Sequence, residues 1–286
     1  MTVRFLFLLV TLVLPCLARA LDLSAAFASL ESQCRCRLGV SGKVVESGLE
    51  YSYRSHEFFP TASTYKLPIA AAFLSEVDAG RKQLDEKLRV VPSDIVRHAS
   101  PLAEAHPQGG LFPARELITG SITLSDNTAA DVILRYAGGP AAVNSFLRAN
   151  GIEGMNIASS EKEMARRFLD NRTTPKAMTD LLVNLQKGQL LKAKNTSFLL
   201  ETLQETKTFN GRLRGLLPKG TPVGHKTGSG GRAGGVSLAT NDVGLITLKD
   251  GRHLAISVYL QNCPLSGDAA DRIIAQVART AFDAVQ

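Results

Sequence analysis

The sequence lacks the basic clusters that mark nucleic-acid-binding proteins. Its 33 Lys and Arg residues outnumber the 26 acidic residues, for a formal net charge of +7, but they are scattered along the chain. No basic helix with interleaved aromatic residues is found. Nucleic-acid binding is therefore not expected. A mildly positive surface suits a small anionic substrate instead.

The sequence also has too few cysteine and histidine residues at ligand spacing for a metal site. Cys34 and Cys36 form a Cys-x-Cys pair, but no second Cys/His pair accompanies it, and the five histidines stand singly. This pattern is only a weak metal signal. We therefore expect neither a metal nor another cofactor.

No apolar run in the chain is long enough to span a membrane. The longest one, residues 5–14, is well short of the ~20 residues that a spanning helix needs. Arg4 precedes it, and Ala18-Arg19-Ala20 follows with small residues where a signal peptidase cleaves. Residues 1–20 are therefore predicted to be a signal peptide. We expect a periplasmic, monomeric mature chain that starts at Leu21 and is not inserted in the membrane.

No internal repeat, low-complexity tract or linker divides residues 21–286, which predicts one domain. Helical spacing of apolar residues covers 23–30, much of 66–208 (including 177–191 and 196–203) and 268–285. Strand patterns cover 37–53, as two strands around Ser41-Gly42, and 223–228, 235–248 and 253–260. Asp250-Gly251 predicts a two-residue hairpin turn between the last two strands.

This order of elements predicts an α/β (α+β) fold. Strands at both ends of the chain imply an antiparallel sheet that is assembled from the two termini and flanked by the terminal helices. We assign residues 21–62 and 210–286 to a sheet lobe and residues 63–209 to a helical lobe. Pockets tend to form at such a seam, so the active site is expected between the lobes.

A Ser-x-x-Lys element starts the predicted helical region. Residues three apart share a helix face, so Lys66 can reach the Ser63 hydroxyl and help to activate it as a nucleophile. Ser159 and Lys162 have the same spacing. The first copy is favoured because an apolar, Ala-rich helix follows it.

Two tripeptides follow in order along the chain. Ser125-Asp126-Asn127 joins two helical stretches and, alone, is more often a helix N-cap than a catalytic element. Lys226-Thr227-Gly228 lies near the end of a predicted strand and, alone, reads as a strand that runs into a Gly-rich turn. Their order after Ser63, in an exported protein, is not expected by chance.

Together these motifs resemble those of class A β-lactamases and penicillin-binding proteins. The resemblance covers the whole mature chain and implies a five-stranded antiparallel sheet with a helical lobe. Ser-Asp-Asn and the position of Glu161, where class A enzymes keep an Ω-loop glutamate, favour class A. The stretches around Ser63 (residues 60–69) and Glu161 (residues 160–164) resemble those of a divergent, extended-spectrum branch.

The resemblance implies that Ser63 attacks a β-lactam carbonyl and forms an acyl-enzyme. Lys66 and Glu161, the latter through water, take its proton, and Ser125 relays a proton to the leaving nitrogen. Asn127 holds the side-chain amide of the substrate. The backbone N–H groups at Ser63 and Ser229 form the oxyanion hole. The residues implied in carboxylate binding are Lys226, Thr227, Gly228, Ser229 and Arg212. Without the resemblance, Arg212 is equally well read as a surface residue.

The departures from the class A pattern mainly concern residues expected to take part in deacylation, the hydrolysis of the acyl-enzyme. Ala165 stands where an asparagine usually helps to orient the hydrolytic water, and Asn171 stands where an aspartate is usual. The segment 161–175 is short, and the aromatic residue that often guards the site is replaced around residues 98–100. Two alternatives therefore stay open: a D,D-peptidase acting on peptidoglycan stems, and a β-lactam sensor or sink that stays acylated.

The resemblance also makes the first and last strands of the sheet antiparallel neighbours. That places Cys34 or Cys36 near Cys263, within the Cα separation that a disulfide needs. We expect one bridge from this pair to Cys263 and one thiol left over, as an oxidising compartment allows.

Overall fold

The computed structural model describes residues 21–167 and 170–286, with the backbone alone for 165–167. The predicted signal peptide, residues 1–20, lies outside the described residues. The strands are β1 (Arg37–Val44), β2 (Glu50–Tyr53), β3 (Phe59–Pro60), β4 (Lys87–Val90), β5 (Gly110–Pro113), β6 (Met155–Asn156), β7 (Arg172–Thr173), β8 (Val223–Ser229), β9 (Arg232–Ala233), β10 (Val236–Ser237), β11 (Thr240–Thr247) and β12 (His253–Gln261). The helices are α1 (Ser24–Cys34), α2 (Lys66–Asp78), α3 (Pro101–Ala105), α4 (Ala114–Thr123), α5 (Asn127–Tyr136), α6 (Gly139–Ala149), α7 (Glu161–Arg167), α8 (Pro175–Gln186), α9 (Ala193–Gln204) and α10 (Gly267–Val285).

The main sheet has five antiparallel strands in the order β2-β1-β12-β11-β8. Strand β1 from the start of the chain pairs with β12 near its end, with Arg37 opposite Gln261 and Val44 opposite Leu254. The predicted five-stranded antiparallel sheet, assembled from both ends of the chain, is confirmed. The edge strand β8 carries the Lys-Thr-Gly motif.

Apolar side chains cover both faces of this sheet. On one face, Phe27 of α1 and Ile274 and Phe282 of α10 pack against the strands in one cluster. On the other face, α8 and the other central helices pack in a second cluster that includes Tyr259 of β12. Helix α10 forms because its apolar residues recur at helical spacing and because Ser266 Oγ caps it, accepting from Ala269 N at 3.4 Å.

The predicted break of the first strand at Ser41-Gly42 is wrong, because β1 runs through both residues. A side chain on Gly42 would place its Cβ 2.1 Å from the Tyr51 hydroxyl oxygen on the neighbouring strand. Glycine at this position therefore admits the Tyr51 ring and does not make a turn. The chain reverses after Val44 instead, before β2 begins.

Three other boundaries differ from the predictions. The turn between the last two strands has three residues instead of the predicted two. They lie between Leu248 and Arg252, which are joined by a backbone hydrogen bond, and Gly251 has a φ of 87°. The predicted strand 235–248 is split, because Val236–Ser237 pairs with β9 before β11 begins. The predicted helix 177–191 ends at Gln186, and Gly188 then adopts a φ of 66°.

A disulfide joins the start of β1 to the end of its neighbour β12. Cys36, just before β1, is bonded to Cys263, just after β12, with their Cα atoms 4.3 Å apart. Cys34 is free and buried. The predicted bridge to Cys263 is confirmed, and its partner is Cys36. Among the described residues no helix has the length and apolar character needed to cross a membrane.

Candidate active site

Ser63 lies in a short 3-10 helix, Ala62–Tyr65, directly before α2 begins at Lys66. Ala62 has a φ of 43°, in the region that non-glycine residues rarely adopt. The turn is close to the edge strand of the sheet. A Cβ on Gly228 would lie 2.8 Å from Thr61 O and 3.1 Å from Ser63 N. Glycine at this position therefore allows β8 to approach the backbone of the serine turn.

Lys66 is completely buried and touches three other motif residues. Its Nζ donates to Asn127 Oδ1 at 2.5 Å and to Ser125 O at 2.7 Å, and lies 3.1 Å from Glu161 Oε1. Asn127 is held in turn, because its Nδ2 donates to His98 O at 3.0 Å. The Ser-x-x-Lys, Ser-Asp-Asn and glutamate positions therefore meet at one ammonium group.

Ser125 links the two buried lysines of the site. It has a φ of 57° between α4 and α5, a conformation stabilised by Asp126, whose side chain caps α5 at Ala129 N. Ser125 Oγ accepts from Lys226 Nζ at 2.9 Å and from Lys66 Nζ at 3.4 Å. A hydroxyl that faces two ammonium groups is well placed to pass on a proton.

Lys226 is also completely buried. Burial lowers its pKa well below the ordinary value of 10.5, and the positive charge of Lys66 lowers it further. The negative charges on Asp242 and Glu161 oppose these effects. Besides Ser125 Oγ, its Nζ donates to Thr227 O at 2.8 Å.

Glu161 is the first residue of α7 and is 5% exposed. Asp131 of α5 holds this helix start, accepting from Glu161 N at 2.7 Å and from Lys162 N at 3.0 Å. Burial raises the pKa of Asp131 to about 7. Asp131 was not among the predicted site residues, although its position four residues after Asn127, on the same helix face, was an available signal.

The second Ser-x-x-Lys copy does not form a comparable site. Ser159 is buried with its Oγ 3.5 Å from Asn171 Oδ1, and Lys162 Nζ donates to Ser93 O at 2.5 Å. Glu163 lies on the exposed side of α7, where its Oε2 accepts from Ser160 N at 3.0 Å. The side chain of Ala165 lies outside the described residues.

Asn171 closes the segment that carries Glu161. It is completely buried, and its Oδ1 accepts from Ala158 N at 2.7 Å and Ser159 N at 3.0 Å. Its Nδ2 donates to Ser159 O at 2.9 Å, and its own backbone oxygen accepts from Thr61 N at 3.0 Å. The side-chain amide of Asn171 thus joins both ends of the loop, and its backbone oxygen ties the loop to the serine turn.

Hydroxyl groups line the end of the cleft that is formed by β8. Thr227 Oγ1 lies 2.6 Å from Thr208 Oγ1, and the exposed Ser229 offers its Oγ at the end of β8. Arg212 is 2% exposed, and its Nη2 donates to Ser229 Oγ at 2.7 Å. The reading of Arg212 as a surface residue is therefore wrong.

Arg212 is fixed by several elements that are distant in the sequence. Its Nε forms an ion pair with Asp271 of α10 at 2.7 Å, and its Nη1 donates to Gly228 O at 3.0 Å and Asn241 O at 2.8 Å. Asn241 also donates from Nδ2 to Thr61 O at 3.0 Å, next to the serine turn. Asn241 was not among the predicted site residues, because no local sequence pattern marks these long-range contacts.

Six of the ten predicted site residues line a cleft of about 570 Å³, whereas Lys66, Lys226, Gly228 and Arg212 are not part of its lining. Its lining includes Ala62, Ser63, His98, Ala99, Leu124, Ser125, Asn127, Glu161, Met164, Thr208, Phe209, Thr227, Ser229, Gly230, Gly231 and Leu238. In the described part of the chain, no group of three or more His, Cys, Asp or Glu side chains is placed to hold a metal ion. A serine beside buried lysines and a buried carboxylate is an arrangement for acyl transfer.

Comparisons with known proteins agree with this class. The family model described as the beta-lactamase enzyme family matches residues 22–285. The chain is 36% identical to "Beta-lactamase VEB-1" of Pseudomonas aeruginosa over 79% of this chain and 77% of that one. It is 34% identical to "Extended-spectrum beta-lactamase PER-1" of the same species, over 79% and 75%. The structure of an "Ancestral (GNCA) Beta-lactamase class A" superposes with a TM-score of 0.85 at 37% identity, covering 92% of this chain and 100% of that one. The chain therefore belongs to the β-lactamase enzyme family, in its class A group.

Proposed function

We propose that this protein hydrolyses β-lactams through an acyl-enzyme on Ser63. The observation that carries the proposal is the buried Lys66–Glu161 pair, at 3.1 Å, beside the serine turn. Acyl transfer to serine needs a base next to the hydroxyl, and hydrolysis of the ester needs a base for water. This arrangement offers a group for each step within one cluster of buried charged and polar side chains.

In acylation, Ser63 attacks the lactam carbonyl while its proton passes to Lys66 or, through water, to Glu161. The backbone N–H groups of Ser63 and Ser229 stabilise the oxyanion. Ser125, between Lys66 and Lys226, gives a proton to the ring nitrogen as the C–N bond breaks. In deacylation, Glu161 takes a proton from the water that attacks the ester.

Substrate binding uses the two ends of the cleft. Asn127 holds the side-chain amide of the substrate. A carboxylate next to the ring nitrogen is bound at the opposite end, where hydroxyl donors and positive charge lie together. The residues assigned to this carboxylate site are Lys226, Thr227, Gly228, Ser229 and Arg212. All proposed roles belong to one chain, so the monomer that we propose can carry out the whole reaction.

The remaining predictions extend this proposal. We propose that residues 21–286 form one catalytic domain, with the lobe boundaries given above, and two apolar clusters sharing one sheet support this. We also propose a periplasmic location. The Cys36–Cys263 disulfide supports it, because such bonds persist in oxidising compartments.

Nitrocefin turnover combined with intact-protein mass tests the function. We expect sustained hydrolysis and a transient adduct on Ser63, and Ser63→Ala should abolish both. Ser159→Ala is the matched control, since it alters the other Ser-x-x-Lys serine and should retain both. A stoichiometric burst with a lasting adduct would instead identify an acyl trap. Release of D-alanine from a D-Ala-D-Ala peptide without nitrocefin turnover would identify a peptidase.

A further inference from the structure

A buried histidine–aspartate pair lies on the face of the sheet opposite Lys226. His225 of β8 and Asp242 of β11 are both completely buried. His225 Nδ1 lies 2.9 and 3.0 Å from the two carboxylate oxygens of Asp242. Because neighbouring residues of a strand point to opposite faces, His225 and Lys226 lie on opposite sides of β8, and His225 does not line the cleft. The mechanism above gives neither residue a role.

Asp242 connects this pair to the carboxylate-binding end of the cleft. Its Oδ2 accepts a second hydrogen bond, from Leu213 N at 3.1 Å. Leu213 directly follows Arg212, whose Nη2 donates to Ser229 Oγ at 2.7 Å. The carboxylate therefore fixes the backbone from which the Arg212 side chain extends, and it is itself oriented by the imidazole.

Asp242 also influences the pKa values of nearby cationic side chains. Burial lowers the pKa of Arg214, and the negative charge on Asp242 opposes that effect. The same charge opposes the lowering of the pKa of Lys226. Asp242 therefore holds the backbone at Leu213 and also influences the pKa values of Arg214 and Lys226.

We propose that His225 and Asp242 are positioning residues for the carboxylate-binding end of the site, where they hold Arg212 in reach of Ser229 and of the substrate carboxylate. This inference rests on the proposed function of Arg212. It predicts a defect in binding of the carboxylate, with little change in the chemistry at Ser63. It does not require either residue to touch the substrate.

The first test compares substitutions of the pair. Asp242→Asn keeps the shape but turns an amide N–H2 towards one of the two donors, so we expect KM for benzylpenicillin to rise about tenfold. The value of kcat should stay within about twofold. His225→Leu should act in the same way. His225→Asn offers an amide donor near the place of Nδ1 and should restore KM to within about threefold of wild type.

A double-mutant cycle decides whether the pair acts through Arg212. In an Arg212→Ala background, His225→Leu, which keeps the charge of Asp242, should raise KM no further, because the group that the pair positions is gone. A benzylpenicillin methyl ester, which lacks the free carboxylate, should show no KM increase in the single variants. His253→Leu is the matched control, since it removes a histidine from the exposed His253–Glu46 pair, and it should leave all constants unchanged.

The outcomes separate this inference from the proposed function. If wild-type protein is neither acylated by benzylpenicillin nor active on nitrocefin, the function fails. If wild type is active but the KM increases of His225→Leu and Arg212→Ala multiply in the double variant, the positioning role is overturned. The same holds if His225→Leu lowers kcat as much as it raises KM. If Asp242→Asn does not fold, as judged by its thermal transition, the comparison of His225→Leu with His225→Asn decides alone.

Discussion

The two sides of the cleft differ in whether their buried lysine is paired with a carboxylate. On the Glu161 side, Lys66 lies 3.1 Å from a carboxylate, so the charge of the ammonium is balanced inside the protein. On the opposite side, no carboxylate of the described residues lies within ion-pair distance of Lys226, and burial lowers its pKa. The first side is therefore suited to moving protons, and the second leaves Lys226 without a carboxylate partner until an anion arrives with the substrate.

The two sides also differ in what holds them. Glu161 is positioned by groups of the helical lobe, namely the cap at Asp131 and the amide of Asn171. Arg212 is positioned by strands and a helix that are far apart in the sequence. Substitutions on the first side should therefore change deacylation, and those on the second side should change binding.

The strongest test of the first side is Glu161→Ala. Positioned base catalysis contributes about 10²–10⁴-fold, so deacylation should slow by about that factor and a penicilloyl adduct should accumulate on Ser63. Glu163→Ala is the matched control, because Glu163 lies two residues away on the exposed side of α7, and it should turn over normally. Intact-protein mass after brief exposure to penicillin measures both. Normal turnover by Glu161→Ala, without an adduct, would exclude Glu161 as the base.

The second side is tested by charge and pH at Lys226. A lowered pKa means that this ammonium loses its proton at a lower pH than an ordinary lysine does, with a pKa of 10.5. Binding of an anionic substrate should weaken as the pH rises through that lowered pKa. Lys226→Ala should reduce kcat/KM roughly 10- to 100-fold at neutral pH.

The pH profile of kcat/KM should therefore have an alkaline limb below pH 10.5. Lys226→Arg keeps its charge at high pH, so its limb should move upwards. Lys219→Arg, at an exposed position, is the control and should leave the profile unchanged. An unmoved limb in Lys226→Arg would assign the titration to another group.

A smaller effect is expected when the loop closure at Asn171 is removed. Asn171→Ala loses the three hydrogen bonds of its amide to the segment before Glu161 and leaves buried groups unsatisfied, which should cost about 1–3 kcal/mol of stability. Deacylation should slow by roughly tenfold, with acylation little changed. Asn156→Ala, at an exposed asparagine near the same loop, is the control. Stopped-flow acylation and mass spectrometry separate the two steps, and equal slowing of both would contradict a loop effect.

The smallest effect on activity is expected for the disulfide, which lies outside the cleft lining. Cys263→Ser should lower the free energy of unfolding by about 2–4 kcal/mol and leave kcat/KM within about twofold of wild type. Denaturant unfolding measures the first value, and Cys34→Ser, at the free thiol, is the control. Peptide mapping of wild type without reductant should find Cys263 protected from alkylation. A freely alkylated Cys263 would mean that the bond is absent.

The sequence was sufficient for features that depend on local patterns. Ser63 and Lys66 are close because a helical turn brings residues three apart together, and Ser125 is at a helix junction that Asp126 marks as a cap. The five-stranded sheet followed from strand patterns at both ends and from the family resemblance. Period-two patterns, however, did not show that Gly42 accommodates Tyr51 within a continuous strand.

Features that depend on distant contacts were not accessible from the sequence. Arg212 could equally be a surface residue until its partners on β8, β11 and α10 were known. The pairing of Cys36 rather than Cys34 depends on the register of β1 against β12. The pairing of His225 with Asp242 likewise depends on strand register, and a single sequence with isolated histidines gives no such register.

The pairing of β1 with β12 has a consequence for how the molecule acquires activity. The cysteines that bridge these strands are 227 residues apart, so the centre of the sheet closes only after nearly the whole chain is available. Such non-local pairing makes folding slow. Ser63 and Lys66 are synthesised well before Lys226 and Ser229, so a growing chain holds the nucleophile without its anion-binding side. A chain that ends before β12 lacks the central strand of the sheet, and we expect it to be inactive.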